Sequence, residues 1–309
     1  MVKPVNLEVA VGTVRLANPV LAASGTFGFG PEYAGLANLA RLGGIAAKGV
    51  SPHPWPGNPP PRVWETESGL LNSIGLQNPG VEAFCREYLP FLARAGTRVV
   101  VNVIGRTVDE YCRVVERLEA EAAVDAIELN ISCPNIKEGG LSFGQDPVHA
   151  AEVTAAVRAV TQRPLWVKLS PNVTEPERIA EAVAAAGADA LTAINTVLGM
   201  AIDLKRRRPA LGGLSGGLSG PAIKPIALRV VYQVAQTVGI PVIGIGGIRT
   251  AEDVAEFMMA GASAVMVGTA TFSDPSTMER IIEDLPGCLQ RLGAKSPSDL
   301  IGAALPGRP

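Results

Sequence analysis

Short apolar runs recur along this chain, and each is followed by a loop and then by a helical pattern. Eight of these runs have the β-branched, aliphatic character of buried strands: Val20–Ala23, Gly44–Lys48, Arg98–Val103, Ala126–Ile131, Pro164–Leu169, Ala188–Ile194, Pro241–Ile245 and Ala262–Val267. The periodicity predicts helices over Val81–Ala95, Val108–Ala122, Pro147–Thr161, Glu175–Ala186, Pro221–Val238 and Ala251–Ala260. Strands apolar on both faces that alternate with helices indicate a parallel sheet. Eight regular units favour closure into a (β/α)₈ TIM barrel over an open doubly wound sheet.

Other features fit one domain spanning residues 1–309, since no linker interrupts the pattern. Residues Asn6–Val11 and Val14–Ala17 alternate in polarity around a Gly-Thr pair, which predicts a β-hairpin that closes one end of the barrel. Two connections exceed the ordinary length, Ser51–Asn78 and Thr196–Gly220. Both follow strands, so we expect both at the C-terminal face of the barrel, as lids or ligand contacts.

Polar residues end the apolar strands with regularity. They are Ser24, Lys48, Asn102, Asn130, Lys168 and Asn195. In a barrel these side chains converge on one mouth and form a site. The two lysines are the most informative, because burying an ammonium is costly unless an anion meets it. No acidic residue ends a neighbouring strand at the same level, so we expect the anion to come from a bound cofactor or substrate, with a structural salt bridge to one of the two lysines as the alternative.

Glycines end the last two strands. The sequence GIGG occupies Gly244–Gly247, and Gly268 precedes Thr269. Glycines at these places allow close backbone approach and leave amide donors for a phosphate, so a phosphorylated ligand is expected. No GxGxxG motif follows a strand and opens a helix, which argues against a nicotinamide dinucleotide bound in the usual way.

Cys133 stands where the strand of AIELNISCPNIK (Ala126–Lys137) gives way to a polar turn. It is either a small buried hydrophobe or a thiol facing a cavity. No histidine occurs at a strand end, which disfavours thiol-protease chemistry. The thiol could instead move a proton itself, with its pKa lowered by a neighbouring lysine.

Composition excludes several functional classes. The formal charge of −2 disfavours a nucleic-acid-binding surface. The four cysteines are scattered and the two histidines, His53 and His149, are far apart, so we expect no disulfide frame, no iron–sulfur motif and no metal site. We expect a reduced, cytoplasmic protein without a signal peptide or a membrane span. The basic run Lys205–Arg208 is expected to be a solvated face, with a docking patch as the alternative.

Seven segments together resemble the dihydroorotate dehydrogenases, in the same order and over nearly the whole chain. They are NSIGLQNPG (Asn72–Gly80), NISCPN (Asn130–Asn135), VKLSPN (Val167–Asn172), INT (Ile194–Thr196), GGLSGPAIKP (Gly216–Pro225), IGIGGI (Ile243–Ile248) and AVMVGT (Ala264–Thr269). Cys133 and the segment DLKRRRP (Asp203–Pro209) are most similar to the NAD-linked B type of class 1. Class 2 enzymes carry serine at the cysteine position. The fumarate-linked A type, a homodimer, shares the cysteine and is the alternative.

The resemblance implies a barrel that holds FMN and oxidises (S)-dihydroorotate to orotate in de novo pyrimidine (UMP) synthesis. Cys133 matches the base that takes a ring proton while hydride passes to the flavin. Flavin-contacting positions of the family match Ser24, Lys48, Gly49, Asn102, Asn130, Lys168, Ile194, Gly220, Gly246, Gly247, Gly268 and Thr269. Substrate-contacting positions match Lys48, Asn72, Ser73, Ile74, Gly75, Leu76, Asn130, Asn195 and Thr196. Lys168 would stabilise negative charge on the reduced ring.

For the B type, the resemblance also implies a partner subunit that carries FAD and a [2Fe–2S] cluster, in a heterotetramer built on a homodimer of this chain. Four scattered cysteines agree with a cluster held elsewhere. Two further alternatives stay open at this point. One is an FMN enzyme acting on another dihydropyrimidine or on dihydrouridine, although the acidic balance disfavours RNA. The other is a non-redox isomerase or lyase that binds a sugar phosphate and in which Cys133 is structural.

Overall fold

The computed structural model describes residues 5–132 and 143–307, and a closed barrel of eight parallel strands lies at its centre. Numbered in chain order, the strands are β1 (Val9–Val11), β2 (Val14–Leu16), β3 (Val20–Ala22), β4 (Gly44–Val50), β5 (Val63–Thr66), β6 (Gly69–Asn72), β7 (Arg98–Val103), β8 (Ala126–Asn130), β9 (Leu165–Lys168), β10 (Ala190–Ala193), β11 (Val197–Gly199), β12 (Ile202–Asp203), β13 (Arg208–Pro209), β14 (Gly216–Ser219), β15 (Val242–Ile245) and β16 (Ala262–Val267). The barrel order is β3-β4-β7-β8-β9-β10-β15-β16, and β16 pairs back onto β3. The predicted (β/α)₈ barrel is confirmed.

Helices surround the barrel. They are α1 (Val81–Ala83), α2 (Leu89–Leu92), α3 (Val108–Glu119), α4 (Pro147–Ala159), α5 (Pro176–Ala185), α6 (Lys224–Thr237), α7 (Ala251–Met259), α8 (Ala270–Ser273) and α9 (Thr277–Arg291), with a π-helical turn at Phe84–Tyr88 and 3₁₀ turns at Pro31–Tyr33, Leu39–Arg41, Phe143–Gln145, Pro221–Ile223 and Pro297–Leu300. The six predicted helices are present, although the π turn divides the first one. Within residues 5–132 and 143–307, no helix has the length and apolar character needed to cross a membrane.

Helix α9 was not predicted. Pro286 lies inside it and interrupts the helical pattern of the sequence, because a proline in a helix interior removes a backbone hydrogen bond. Its apolar face is nevertheless continuous, and Met278, Ile281, Leu285 and Leu289 are all buried in the core. Burial of this face compensates for the local cost of the proline.

The predicted hairpin closes the amino-terminal end of the barrel. Strands β1 and β2 pair antiparallel around a two-residue turn, and their inward residues are buried. The guanidinium of Arg98, the first residue of β7, donates a hydrogen bond from Nε to the carbonyl oxygen of Arg15 at 3.0 Å. The hairpin therefore lies at the opposite end from the polar strand ends.

The two long connections form one structure, which the sequence did not predict. Strands β5 and β6 from the first connection and β11 and β14 from the second form an antiparallel sheet in the order β5-β6-β14-β11. Asn72 and Leu71 of β6 pair with Gly217 and Leu218 of β14. The basic run lies in a separate ribbon of β12 and β13, where Asp203 accepts backbone hydrogen bonds from Lys205 and Arg206.

Gly244 of β15 is a close-contact point between the barrel and its helices, and substituting it tests the packing. A Cβ there would lie 2.4 Å from Cδ1 of Phe257, a fully buried residue of α7. We expect Gly244→Ala to lower the free energy of unfolding by about 1–3 kcal/mol, measured by urea denaturation. The matched control is Gly239→Ala, since a Cβ at Gly239 meets nothing within 4 Å. Equal stability of the two variants would contradict the close packing of α7 on β15.

Candidate active site

A cavity of about 430 Å³ opens at the carboxyl ends of the barrel strands. The strand ends form one wall, and the antiparallel sheet of the two long connections forms another, through residues such as Leu70, Leu198 and Ser219. The structure brings these predicted site residues together on its walls: Ser24, Lys48, Gly49, Asn72, Ser73, Ile74, Gly75, Leu76, Asn102, Asn130, Lys168, Asn195 and Thr196. The predicted convergence of the polar strand ends on one mouth is therefore confirmed.

Lys168 is the most buried cation of this cavity, with 5% of its surface exposed. Its Nζ donates a hydrogen bond to Ser24 Oγ at 3.0 Å and lies 3.7 Å from Oε2 of Glu128 on the neighbouring strand β8. No acidic residue ends a neighbouring strand at the level of Lys168, but Glu128 lies two residues before the end of β8, so the expectation of an external anion is wrong for Lys168 and a structural salt bridge takes its place. Glu128 is enclosed in an apolar run, and the sequence pattern did not show that its side chain turns into the barrel. Lys168 thus has an internal counterion.

Lys48 differs from Lys168, because it forms no ion pair within the described ranges. It lies on β4 and is partly buried, and its backbone amide donates to the carbonyl of Gly28 at 2.8 Å. Burial lowers the pKa of Lys48, the carboxylate of Glu32 raises it and Arg62 lowers it further. An uncompensated, partly buried ammonium is suited to an anionic ligand. The prediction of an external anion therefore applies to Lys48 alone.

A chain of hydrogen bonds between amide and hydroxyl groups runs from Glu128 to Asn195. Asn102 Nδ2 donates to Glu128 Oε2 at 2.5 Å, and Asn130 Nδ2 donates to Asn102 Oδ1 at 3.3 Å. Ser132 Oγ donates to Asn130 Oδ1 at 2.8 Å, and Asn195 Nδ2 donates to Ser132 Oγ at 2.6 Å. This chain of hydrogen bonds fixes the asparagine amides, which offer both donors and acceptors to a ligand.

Hydrogen bonds to other residues of the first long connection and to β14 hold the predicted substrate loop, Asn72–Leu76. Asn58 Nδ2 donates to Ser73 Oγ at 3.0 Å, and the Ser73 amide donates to the carbonyl of Arg62 at 2.7 Å. Asn72 Nδ2 donates to the carbonyl of Gly217 at 3.2 Å across the sheet. These bonds set the loop against the mouth of the barrel.

The predicted phosphate-binding residues adjoin the cavity at one corner. Thr269 Oγ1 donates to Ser219 Oγ at 2.8 Å, and Ser219 is on the cavity wall. A Cβ on Gly247, whose φ is +74°, would lie 3.0 Å from the carbonyl oxygen of Gly220. Among the described residues, no acceptor faces the backbone amides of Gly246, Gly247, Gly268 or Thr269. This corner is therefore rich in free amide donors.

An ion-pair cluster braces this corner from outside. Lys224 Nζ donates to Asp253 Oδ1 at 2.7 Å and to Glu256 Oε2 at 2.6 Å. Oδ2 of Asp253 accepts the amides of Arg249 and Thr250 at 2.7 and 3.0 Å. Burial would raise the pKa of Asp253, but Lys224 and these amides hold it below its usual value. The carboxylate therefore ties the loop after β15 to the start of α6.

Some predicted residues lie elsewhere. Ile194 is buried beside Asn195 but is not on the cavity wall, and neither are Gly220, Gly246, Gly247, Gly268 and Thr269 of the adjoining corner. Cys133 lies outside the described residues, so its role stays a prediction.

The other three cysteines are described. Burial raises the pKa of the thiols of Cys112 and Cys288, and that of Cys85 to about 11. The described part of the chain holds no cluster of ligands suited to a metal ion.

Several residues of the cavity wall were not predicted from the sequence. Asn172 lines the cavity, donates to the carbonyl of Thr196 at 3.1 Å and accepts the amide of Leu198 at 2.9 Å. Its place just after β9 was a usable signal. Thr26 and Phe272 also line the cavity, but only the folded chain shows this, because neither ends an apolar strand.

Comparisons with known proteins show the family of this chain. The family model of dihydroorotate dehydrogenase matches residues 6–289. A protein of Geotalea uraniireducens is 54% identical over 305 residues, covering 99% of this chain and 100% of its own, and one of Alkaliphilus metalliredigens is 52% identical over 299 residues, covering 97% and 99%. Both are named dihydroorotate dehydrogenase B (NAD(+)), catalytic subunit.

A solved structure of DHODH from Eimeria tenella in complex with ferulenol has the same fold, with a TM-score of 0.81 over 96% of this chain and 88% of that one, at 23% identity. The family model matches nearly the whole chain, and the two full-length relatives are each more than 50% identical to it. This chain belongs to the dihydroorotate dehydrogenase family.

Proposed function

We propose that this chain oxidises (S)-dihydroorotate to orotate in pyrimidine synthesis, with FMN as the bound electron acceptor. The observation that carries the proposal is one cavity lined by asparagine amides and by Lys48, which forms no ion pair among the described residues, with Ser219 of its wall hydrogen-bonded to Thr269 of the adjoining glycine corner. Amides suit the carbonyl and N–H groups of a pyrimidine dione, the lysine suits its carboxylate, and the corner suits a phosphate.

The residues present fit FMN. The amides of Gly246, Gly247, Gly268 and Thr269, which donate to no acceptor among the described residues, would form a donor set for the phosphate. Gly49 leaves room beside the asparagine wall, since a Cβ there would lie 2.8 Å from Asn102 Oδ1. Lys168 and Ser24, with Asn102, would then face the polar edge of the ring. When bound, FMN supplies the acceptor for a hydride.

The protein side chains would do the remaining work. Asn130 and Asn195 orient the substrate ring, and Lys48 binds its carboxylate. The Cys133 thiolate takes one ring proton, while the hydrogen on the adjacent carbon leaves with its electron pair, so that a C=C bond forms and orotate results. Lys168 stabilises the negative charge that the reduced cofactor gains.

We further propose that the electrons continue to NAD through a partner subunit. The relatives named above are catalytic subunits of the NAD-linked B type. The chain has no nucleotide-binding fingerprint of its own, so an iron–sulfur subunit with FAD and a [2Fe–2S] cluster would supply the exit path. This arrangement implies a heterotetramer built on a homodimer of this chain, working in the cytoplasm. The names of these relatives favour it over the fumarate-linked A type.

Anaerobic titration of the purified protein with dihydroorotate tests the reaction. We expect the preparation to be yellow and its flavin absorbance to bleach with one equivalent of dihydroorotate per flavin, with orotate as the product. A colourless protein that does not take up FMN would support the non-redox alternative. A flavin that dihydroorotate leaves oxidised would point to another dihydropyrimidine.

The role of Lys48 predicts weaker capture of the substrate when its charge is removed. A hydrogen bond to a charged group contributes about 1.5–3 kcal/mol, so Lys48→Ala should weaken orotate binding by about ten- to a hundredfold. Orotate titration monitored by the flavin spectrum measures this. Arg206→Ala, on the exposed ribbon, is the control and should bind orotate normally. Unchanged affinity in Lys48→Ala would contradict the assignment.

The assignment of Cys133 as base predicts a defect in flavin reduction with normal flavin content. General acid–base catalysis contributes about 10²–10⁴-fold, so Cys133→Ala should slow reduction by dihydroorotate in stopped flow by that factor. Cys112→Ala, on α3, should reduce its flavin at the normal rate. Rapid reduction in the Cys133 variant would remove the base assignment.

The proposed partner predicts that the isolated chain passes electrons to small artificial acceptors but not efficiently to NAD. Steady-state assays with dihydroorotate and either a redox dye or NAD compare the two acceptors. We expect turnover with the dye and little with NAD. Efficient NAD reduction by the lone polypeptide would count against a separate electron-transfer subunit.

A further inference from the structure

Glu128 is a buried carboxylate that has no role in the mechanism proposed above. It lies in the middle of β8 with none of its surface exposed, and it pairs in register with Asn102 of β7 and Trp166 of β9. A fully buried carboxylate is costly and needs a partner. Its partners are the amide of Asn102, which donates to Oε2 at 2.5 Å, and the ammonium of Lys168, 3.7 Å from the same oxygen.

The geometry leaves this ion pair incomplete. A separation of 3.7 Å is too long for a hydrogen bond, and the amide of Asn102 holds the carboxylate in this position. Oε1 of Glu128 has no hydrogen-bond partner among the described residues. Lys168 donates to Ser24 Oγ, and an ammonium has three donors, so donors are left for a ligand in the cavity. Lys168 thus faces the cavity as a cation whose charge is partly offset by the Glu128 carboxylate.

We propose that Glu128 sets the reduction potential of the bound flavin by placing a buried negative charge beside Lys168, so that the ring meets the sum of the two charges. Its carboxylate lies 3.7 Å from the ammonium and offsets part of its positive charge. A reduced, anionic ring beside Lys168 is then stabilised less than it would be beside an unpaired lysine, so the flavin potential is lower. A lower potential suits onward transfer to a nicotinamide, which is a weak oxidant. This inference rests on the proposed function, because it requires a flavin ring at Lys168.

Glu128→Gln removes the charge with little change in contacts. The glutamine carbonyl can take the place of Oε2 and keep the hydrogen bond from Asn102, while its NH₂ group takes the place of Oε1, where no bond is lost. Two readouts follow the potential: titration against a reference dye, and the affinity for sulfite, which adds more readily to flavins of higher potential. We expect sulfite to bind about tenfold tighter and the potential to rise by about 30 mV, the equivalent of tenfold for two electrons.

Thr192→Val is the matched control, a neutral substitution beside Lys168. Thr192 is fully buried, pairs in register with Lys168, and its hydroxyl has no partner among the described residues. This neutral change should leave the potential and the sulfite affinity unchanged. An effect equal to that of Glu128→Gln would overturn the electrostatic role, because a neutral change beside Lys168 would then alter the potential as much as loss of the charge does.

The outcomes separate this inference from the proposed function. A flavin-loaded Glu128→Gln protein with unchanged potential and sulfite affinity would overturn the inference alone. A wild-type protein whose flavin is not reduced by dihydroorotate would overturn the proposed function instead. If Glu128→Gln does not fold, the double variant with Lys168→Gln removes both buried charges together, a change that proteins often tolerate. It should bind sulfite more tightly than Lys168→Gln alone, which keeps the negative charge of Glu128, and equal binding would overturn the inference.

Discussion

Closure of the parallel sheet, completed where β16 pairs with β3, is the constraint on which the site depends. In a closed parallel barrel all eight strands end at one mouth, so a polar residue that ends one strand must face those that end the others. Residues from Ser24 to Asn195, far apart in the sequence, therefore meet around one cavity. The apolar residues below them fill the barrel and hold the strand register.

The polar mouth is not a uniform set of donors. On one side, Lys168 is held between Ser24 and the buried Glu128, so its charge is partly compensated by the protein. On the other side, Lys48 has no such partner among the described residues and is available to an external anion. Backbone amides supply the donors at the third corner, near Gly247 and Thr269. These three environments match the three parts of the proposed ligands: a ring that accumulates charge, a carboxylate and a phosphate.

Much of this could be predicted from the sequence, because hydrophobic periodicity fixes both the element type and the strand ends. The barrel, the hairpin and the six polar strand ends on the cavity wall follow from that pattern, whereas Gly49, Thr196 and the loop Asn72–Leu76 follow from the family resemblance. The ion pair between Glu128 and Lys168 does not follow from it, because strand register and side-chain direction decide whether an acidic residue in a strand faces Lys168. The sheet that joins β6 to β14 depends on pairing between distant connections, and α9 contains Pro286. Thr26 and Phe272 reach the cavity through loop geometry that no local pattern specifies.

The central claim is that one cavity at the barrel mouth holds a flavin and the pyrimidine together. A crystal structure of the purified protein grown with orotate tests it most directly. The account predicts the flavin phosphate within hydrogen-bond distance of the amides of Gly247 and Thr269, its ring beside Lys168, and the orotate carboxylate at Lys48. The Cys133 sulfur should face the other side of the orotate ring. Orotate bound away from this cavity, or a mouth filled by side chains with no flavin, would contradict it.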